Sequence, residues 1–226
     1  MKPILVVNYK AYPSSHGEPA ARIAEKAAEL ASTHNVRIIL AVPATEVYRL
    51  SKIHDDIFIQ GVKPVPQGAY TGSITVEMAV SAGARGILLN HSENKMLYRD
   101  IQHIIQRTSL ETLVCAETPE EAAAVSMLKP SMIAVEPPEL IGTGIPVSKA
   151  KPEIIINTVE LVRKHNPDIP ILTGAGISEP DDAVKALQLG SQGILVASSI
   201  MKASQPEAKL EQFTEALEKT VNLNAS

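Results

Sequence analysis

The stretch IPILTGAGISEPDDAVKALQLGSQGILVASS, residues 169–199, reads as one complete strand-helix-strand unit. Ile169–Thr173 is a short apolar, β-rich run that ends on Gly174-Ala175-Gly176. Ser178-Glu-Pro-Asp181 then opens a helix, and Gly193–Ala197 is the next apolar run. Two such runs joined through a helix predict parallel neighbours in one sheet.

The same alternation continues in both directions along the chain. Strands are expected at Ile4–Asn8, Arg37–Ala41, Ile57–Gln60, Gly86–Asn90, Thr112–Cys115, Met132–Val135, Ile169–Thr173 and Gly193–Ala197. Between them lie segments of helical period, such as Leu210, Phe213, Leu217 and Val221, whose spacing puts one apolar stripe on a helix. Thr118-Pro-Glu-Glu121, Ser178-Glu-Pro-Asp181 and Ser204-Gln-Pro-Glu207 each combine a capping hydroxyl, an early proline and an acid, the marks of a helix start. No linker, charge run or low-complexity tract divides the chain, so residues 1–226 are expected to form a single domain. Eight βα units in one domain favour a closed (β/α)8 TIM barrel over an open doubly wound sheet.

Bulk properties agree and exclude several classes. With 226 residues, 45% hydrophobic and 20% charged, the chain is an ordinary globular protein. A net charge of −4 offers no basic surface for nucleic acid or anionic lipid, so any anion site must be local. Neither a signal segment nor a membrane span is expected near Met1-Lys2-Pro3. The lone Cys115 fits a reducing compartment and reads as a small core residue, and the expected localisation is cytoplasmic.

In a barrel, functional groups belong at the C-terminal ends of the strands. Those ends carry Asn8 with Lys10, Gln60, Asn90 with His91, Glu117, Glu136, the Gly174-Ala-Gly176 turn and Ala197-Ser198-Ser199. The two small-residue turns follow adjacent strands and let backbone N–H groups approach an anion, which predicts a phosphate site; the competing reading is a pair of tight strand-to-helix turns. Neither GxGxxG nor GxxxxGK[ST] occurs, so no nucleotide is implied. Asn8-Tyr-Lys10 sets an amide and an ammonium on one side of an extended segment, either as an electrostatic stabiliser of an anionic substrate or as a snorkelling rim lysine with its cap. His91 is a titratable group aimed at the same rim as Glu136 and Lys10, although a strand-end histidine is often structural. Histidines 16, 34, 54, 103 and 165 are expected to be solvated, and no pair has metal-ligand spacing, so no metal site is expected.

Glu136 ends its strand inside AVEPPELIGTG, residues 134–144. Burial there would raise its pKa toward that of a general base. Pro137-Pro138 stiffens the following loop and Gly142-Thr-Gly144 frees its far end, the construction of a rigid lid that moves about its ends.

VVNYKAY, GAYTG at 68–72, LLNHSE at 88–93, VCAE at 114–117, AVEPPELIGTG, TGAGIS at 173–178 and GILVASS at 193–199 occur in one order along almost the whole chain. Together they make the chain resemble triosephosphate isomerase, in its short archaeal form. The resemblance implies Glu136 as the base, His91 as the electrophile and Lys10 as the substrate-binding cation, with Asn8 lining the site and the main chain at Ile141, Gly176, Ala197 and Ser198 holding the phosphate. It implies a phosphorylated triose as substrate, interconversion of dihydroxyacetone phosphate and glyceraldehyde 3-phosphate, and no cofactor. The lid starts Pro-Pro-Glu where longer members have proline, an aliphatic residue and tryptophan, and strand eight ends in Ala-Ser where they have paired glycines; both are usual in the archaeal form. GAYTG resembles the family's interdigitating third loop, and short helices after strands four and five leave apolar surface. A homo-oligomer is therefore expected, a tetramer ahead of a dimer. The rival readings are a sugar-phosphate epimerase, for which the rim lacks a metal set or a pair of acids, and a barrel that binds a phosphorylated metabolite without catalysis.

Overall fold

The structure is a computed structural model and describes residues 2–224. Eight strands form it: β1 (Ile4–Asn8), β2 (Arg37–Val42), β3 (Ile57–Ile59), β4 (Gly86–Leu89), β5 (Glu111–Ala116), β6 (Met132–Val135), β7 (Ile171–Thr173) and β8 (Gly193–Val196). They pair in parallel in chain order, and β8 returns to β1 to close the barrel. The registers Val6↔Ile39 and Val6↔Leu195 show β1 held on both sides. With every edge paired and both faces covered, each strand can be apolar throughout.

The expected strands all form, with shifts at their ends. Glu111 and Ala116 extend β5 because they stay in register with Gly86 and Val135. Ile169 and Pro170 fall outside β7, since a proline has no N–H to give the ladder, although the Pro170 carbonyl still accepts from Ile133. Gln60, Asn90 and Ala197 lie just past their strands on the rim.

Helices fill the crossovers: α1 (Gly17–Thr33), α2 (Ala44–Leu50), α3 (Val76–Ser81), α4 (Tyr98–Arg107), α5 (Pro119–Ser126), α6 (Val147–Ala150), α7 (Pro152–His165), α8 (Pro180–Gln188), α9 (Ser198–Met201) and α10 (Pro206–Asn224). The Thr118 hydroxyl caps α5 by accepting from the Glu121 N–H at 3.1 Å. The other two expected serine caps are corrected. Pro180 and Pro206 take the first helical position, so the preceding Glu179 and Gln205, not Ser178 and Ser204, stand at the boundary. Glu179 and Asp182 form a reciprocal capping box there.

Side-chain alternation along the strands divides the core in two. Even positions of β1 and β6, Ile4 and Val6 with Met132 and Ala134, point into the barrel with Phe58, Leu88, Leu113, Cys115, Leu172 and Leu195. The intervening residues pack outward under the helices, where α1 contributes Ile23, Ala24, Ala27 and Leu30, and α10 contributes Leu210, Phe213 and Leu217. Inside, the Phe58 ring fills the space that a side chain at Gly86 would need; burying such a ring is worth about 1.5–3 kcal/mol. At the N-terminal end of the barrel, Arg37 donates to both Asp56 and Glu111 at 2.6–3.2 Å, a half-buried network that ties β2 to β5. His54 departs from expectation. It is buried, with Nε2 at 2.7 Å from the Ile38 carbonyl, because the turn into β3 tucks it under β2. Among the described residues no helix is long and apolar enough to cross a membrane.

Candidate active site

The alternation that puts Ile4, Val6, Met132 and Ala134 inside the barrel carries on to the next even positions, Asn8 and Glu136. Both are buried, at 3% and 5% exposure, and both cap the interior at its C-terminal mouth. Asn8 is fixed by donors: the Lys10 N–H at 3.0 Å and Gln60 Nε2 at 3.2 Å both reach its Oδ1. Gln60 also donates to the Lys10 carbonyl at 3.1 Å, which holds Lys10 at φ 47°, in the left-handed region. Asn90 sits at φ 59° and Ala175 at φ 71°, so three strained non-glycine residues stand on this one rim. The turn at Asn90, anchored by its Nδ2 on the Cys115 carbonyl at 2.9 Å, breaks the strand alternation and swings His91 inward.

His91 Nδ1 accepts the Glu93 N–H at 3.1 Å. That bond makes Nδ1 an acceptor, so the ring proton sits on Nε2. Nε2 lies 3.7 Å from Glu136 Oε2, and both atoms are buried without a hydrogen-bond partner among the described residues. Two polar atoms in that condition cost stability unless a ligand supplies their partners. Burial holds the Glu136 carboxyl above the ordinary carboxylate range, against the opposing pull of His91, the neighbouring Cys115 thiol and Lys10. Lys10 reaches the same mouth, 12% exposed, with Nζ on Glu93 Oε1 at 2.7 Å.

Two adjoining cavities share Lys10. One, of about 210 Å³, takes in Asn8, Gln60, His91 and Glu93. The other, of about 160 Å³, takes in Glu136, Ile141, Gly142, Gly176, Ala197 and Ser198. The eight site residues that the resemblance implies, Asn8, Lys10, His91, Glu136, Ile141, Gly176, Ala197 and Ser198, therefore line these two cavities. The second cavity is floored by the small-residue turns after β7 and β8 and walled by the 137–144 loop. There the N–H of Ile141 is engaged by the Pro138 carbonyl at 3.2 Å, while those of Gly142 and Gly176 have no protein acceptor among the described residues. Backbone N–H groups left open on small residues suit an anion. Gly142 and Gly144, at φ 75° and 74°, have open space around them, whereas a side chain on Gly176 would overlap the Ile145 carbonyl at the loop's far end.

Comparison with known proteins agrees with this geometry. Residues 3–218 match the family profile described as Triosephosphate isomerase. Proteins of that name from Saccharolobus solfataricus and Methanothermus fervidus are 45% and 42% identical, over 93% and 94% of this chain and 94% and 97% of theirs. The chain belongs to the triosephosphate isomerase family. The crystal structure of triosephosphate isomerase from Bartonella henselae superposes with a TM-score of 0.73 over 98% of this chain and all of its own, at 20% identity, which speaks for the fold. As a member of the triosephosphate isomerase family, the chain is an isomerase built on a TIM barrel.

Several residues at the site were not singled out beforehand. Glu93 holds both Lys10 and the His91 ring, and its place two residues after His91 was the available signal. Tyr12 and Ser178 line the anion cavity; Gly174, expected only as part of the anion turn, also makes room for Glu136, whose carboxyl Cys115, expected as a core residue, adjoins. Glu117, by contrast, turns away to Lys95 at 3.5 Å and takes no part. Among the described residues no three His, Cys, Asp or Glu side chains converge as metal ligands.

Proposed function

We propose that this chain interconverts dihydroxyacetone phosphate and D-glyceraldehyde 3-phosphate through an enediolate, with Glu136, His91 and Lys10 as catalytic residues. Glu136 removes a proton from C1 of the ketone, and the electron pair moves to the C2 oxygen. The His91 Nε2–H donates to that oxygen, and neutral His91 then relays protons between the two enediol oxygens. Glu136 returns its proton to C2, giving the aldehyde with no net gain or loss of atoms. A base whose pKa is raised by burial is strong enough to take a carbon-bound proton yet able to return it. Lys10 and Asn8 offset the negative charge of substrate and enediolate. The main chain at Ile141, Gly176, Ala197 and Ser198 supplies the phosphate cradle, with the open N–H of Gly142 next to that of Ile141. The reaction requires no cofactor.

One observation carries this reading: the facing, partnerless Glu136 Oε2 and His91 Nε2, 3.7 Å apart at the barrel mouth. Its test is a coupled assay of the purified protein with glyceraldehyde 3-phosphate, run beside Glu136→Asp. Withdrawing the base by about 1 Å should lower kcat on the order of 10²-fold with KM changed only several-fold. A stable Glu136→Asp protein with wild-type turnover would remove Glu136 from the mechanism.

The same reading treats residues 1–226 as one catalytic domain of the short archaeal form, working in glycolysis and gluconeogenesis in the cytoplasm. It also includes a homo-oligomer, with a tetramer favoured over a dimer. Supporting that assembly are exposed Leu97, Tyr98 and Met127 on the short α4–α5 side, and Tyr70 at the tip of the 66–73 loop.

A further inference from the structure

The cations around the anion cavity are almost all spoken for. Lys10 is paired with Glu93 at 2.7 Å, Lys149 with Asp182 at 2.6 Å, Lys209 with Glu179 at 2.7 Å, and Lys151 with Glu139. Each pair presents little net charge to an approaching ligand. The chain as a whole, at −4, repels a dianion. Lys202 differs. It is exposed, forms no ion pair among the described residues, and rests its Nζ 5.2 Å from the centroid of the Tyr12 ring. Tyr12 lines the anion cavity together with Ser198 and Ser199, and the Lys202 N–H donates to the Ser198 carbonyl at 3.0 Å, one turn away. The loop carrying Tyr12 is clamped to the same turn by Ser14 Oγ, which donates to the Met201 carbonyl at 2.7 Å.

We propose that Lys202, held beside the cavity mouth on the Tyr12 ring, is a capture residue for the substrate's phosphate dianion, a role that rests on the isomerase reading above. A cation parked on an aromatic face keeps its full charge and loses less hydration than one buried in an ion pair. It therefore projects an attractive potential over the entrance without competing with the backbone cradle inside. Ser14 already ties the two loops together, so the contact between Lys202 and Tyr12 is not needed to hold them.

The test measures kcat/KM from about 0.01 M to about 0.3 M ionic strength, a range over which the screening length drops from about 30 Å to under 10 Å. Lys202→Gln is compared with wild type, with Lys202→Arg, and with Lys52→Gln. Lys52 also rests on a tyrosine, 5.0 Å from the Tyr48 ring, but in the turn before β3 at the other end of the barrel, so its loss changes net charge equally. Lys202→Gln should lower kcat/KM roughly three- to tenfold at low salt, mainly through KM, and flatten its salt dependence. Lys202→Arg should restore the slope, and Lys52→Gln should keep it. A wild-type slope in Lys202→Gln, an equal loss in Lys52→Gln, or a salt-independent loss of kcat with a lowered Tm would each overturn the proposal. Calorimetric binding of inorganic phosphate separates the two readings. If the wild type turns over no triose, the isomerase reading fails, yet weaker phosphate binding by Lys202→Gln still supports capture, and equal binding rejects it.

Discussion

Gly174 and Glu136 compete for one space. A Cβ on Gly174 would lie 2.5 Å from both Cγ and Oε1 of Glu136, so the buried carboxyl sits where it does because the residue that follows β7 has no side chain. The backbone at Gly174 is outside the left-handed region, so alanine fits the chain and clashes only with the glutamate. Gly174→Ala should displace the base by about 1 Å and lower kcat roughly 10- to 100-fold. Overpacking should cost about 1–3 kcal/mol in stability. The shorter side chain of Glu136→Asp relieves the clash, so the double variant should lose less than the sum of the single losses in a double-mutant cycle of kcat. Strict additivity would mean that the two residues do not share the space.

The buried Glu136 carboxyl also makes stability depend on pH. Its folded-state pKa is raised by burial, so its contribution to stability is fully present below the unfolded-state carboxylate pKa and is lost as pH rises through the raised value. Glu136→Gln removes that cost. Its Tm should exceed the wild type's by about 2–4 °C at neutral pH, the equivalent of about 1 kcal/mol for a chain of this size. The difference should close as pH falls toward 4, which thermal melts across the range would read. In the wild type, the acid limb of kcat/KM should lie above the ordinary carboxylate range for the same reason.

Ligand binding should quiet the loop from Pro137 to Gly144. Its far end turns on Gly142 and Gly144, which have free space around them, while Glu139 is tethered to Lys151 and Ser178 Oγ reaches the Gly144 carbonyl at 3.5 Å. Such loops close over bound ligand, and this family is itself an example. Saturating 2-phosphoglycolate should slow amide exchange across 139–144 at least severalfold, with little change in the helices α1 and α10. Unchanged exchange with the ligand bound would remove the lid.

Light scattering at micromolar concentration should give the mass of an oligomer, a tetramer before a dimer. Met127 is 61% exposed and Leu97 57%, two large apolar side chains that a subunit interface would cover. Met127→Lys with Leu97→Glu should reduce the mass while leaving the barrel folded by circular dichroism. A monomeric wild type would contradict the assembly.

The eight strands could be read from apolar runs because a parallel barrel buries both faces of every strand, which leaves a local mark in composition. Rim residues such as Asn8, His91 and Glu136 could be read from their position at strand ends, with order along the chain supplying the family. The helix caps were misplaced by one residue in two cases, because proline, not the preceding serine, decides where the first turn begins. His54 was misjudged because its burial depends on the Ile38 carbonyl sixteen residues earlier. What only the tertiary structure decided is which rim groups face one another. The proton on His91 Nε2 follows from a backbone bond to Glu93, the place of Glu136 from the absent side chain of Gly174, and the free charge of Lys202 from its seat on the Tyr12 ring, with no ion-pair partner among the described residues. Burial and periodicity act through neighbours in sequence and so leave a pattern there. Distances of a few ångströms across a barrel mouth are set by residues far apart in the chain, and no local pattern records them.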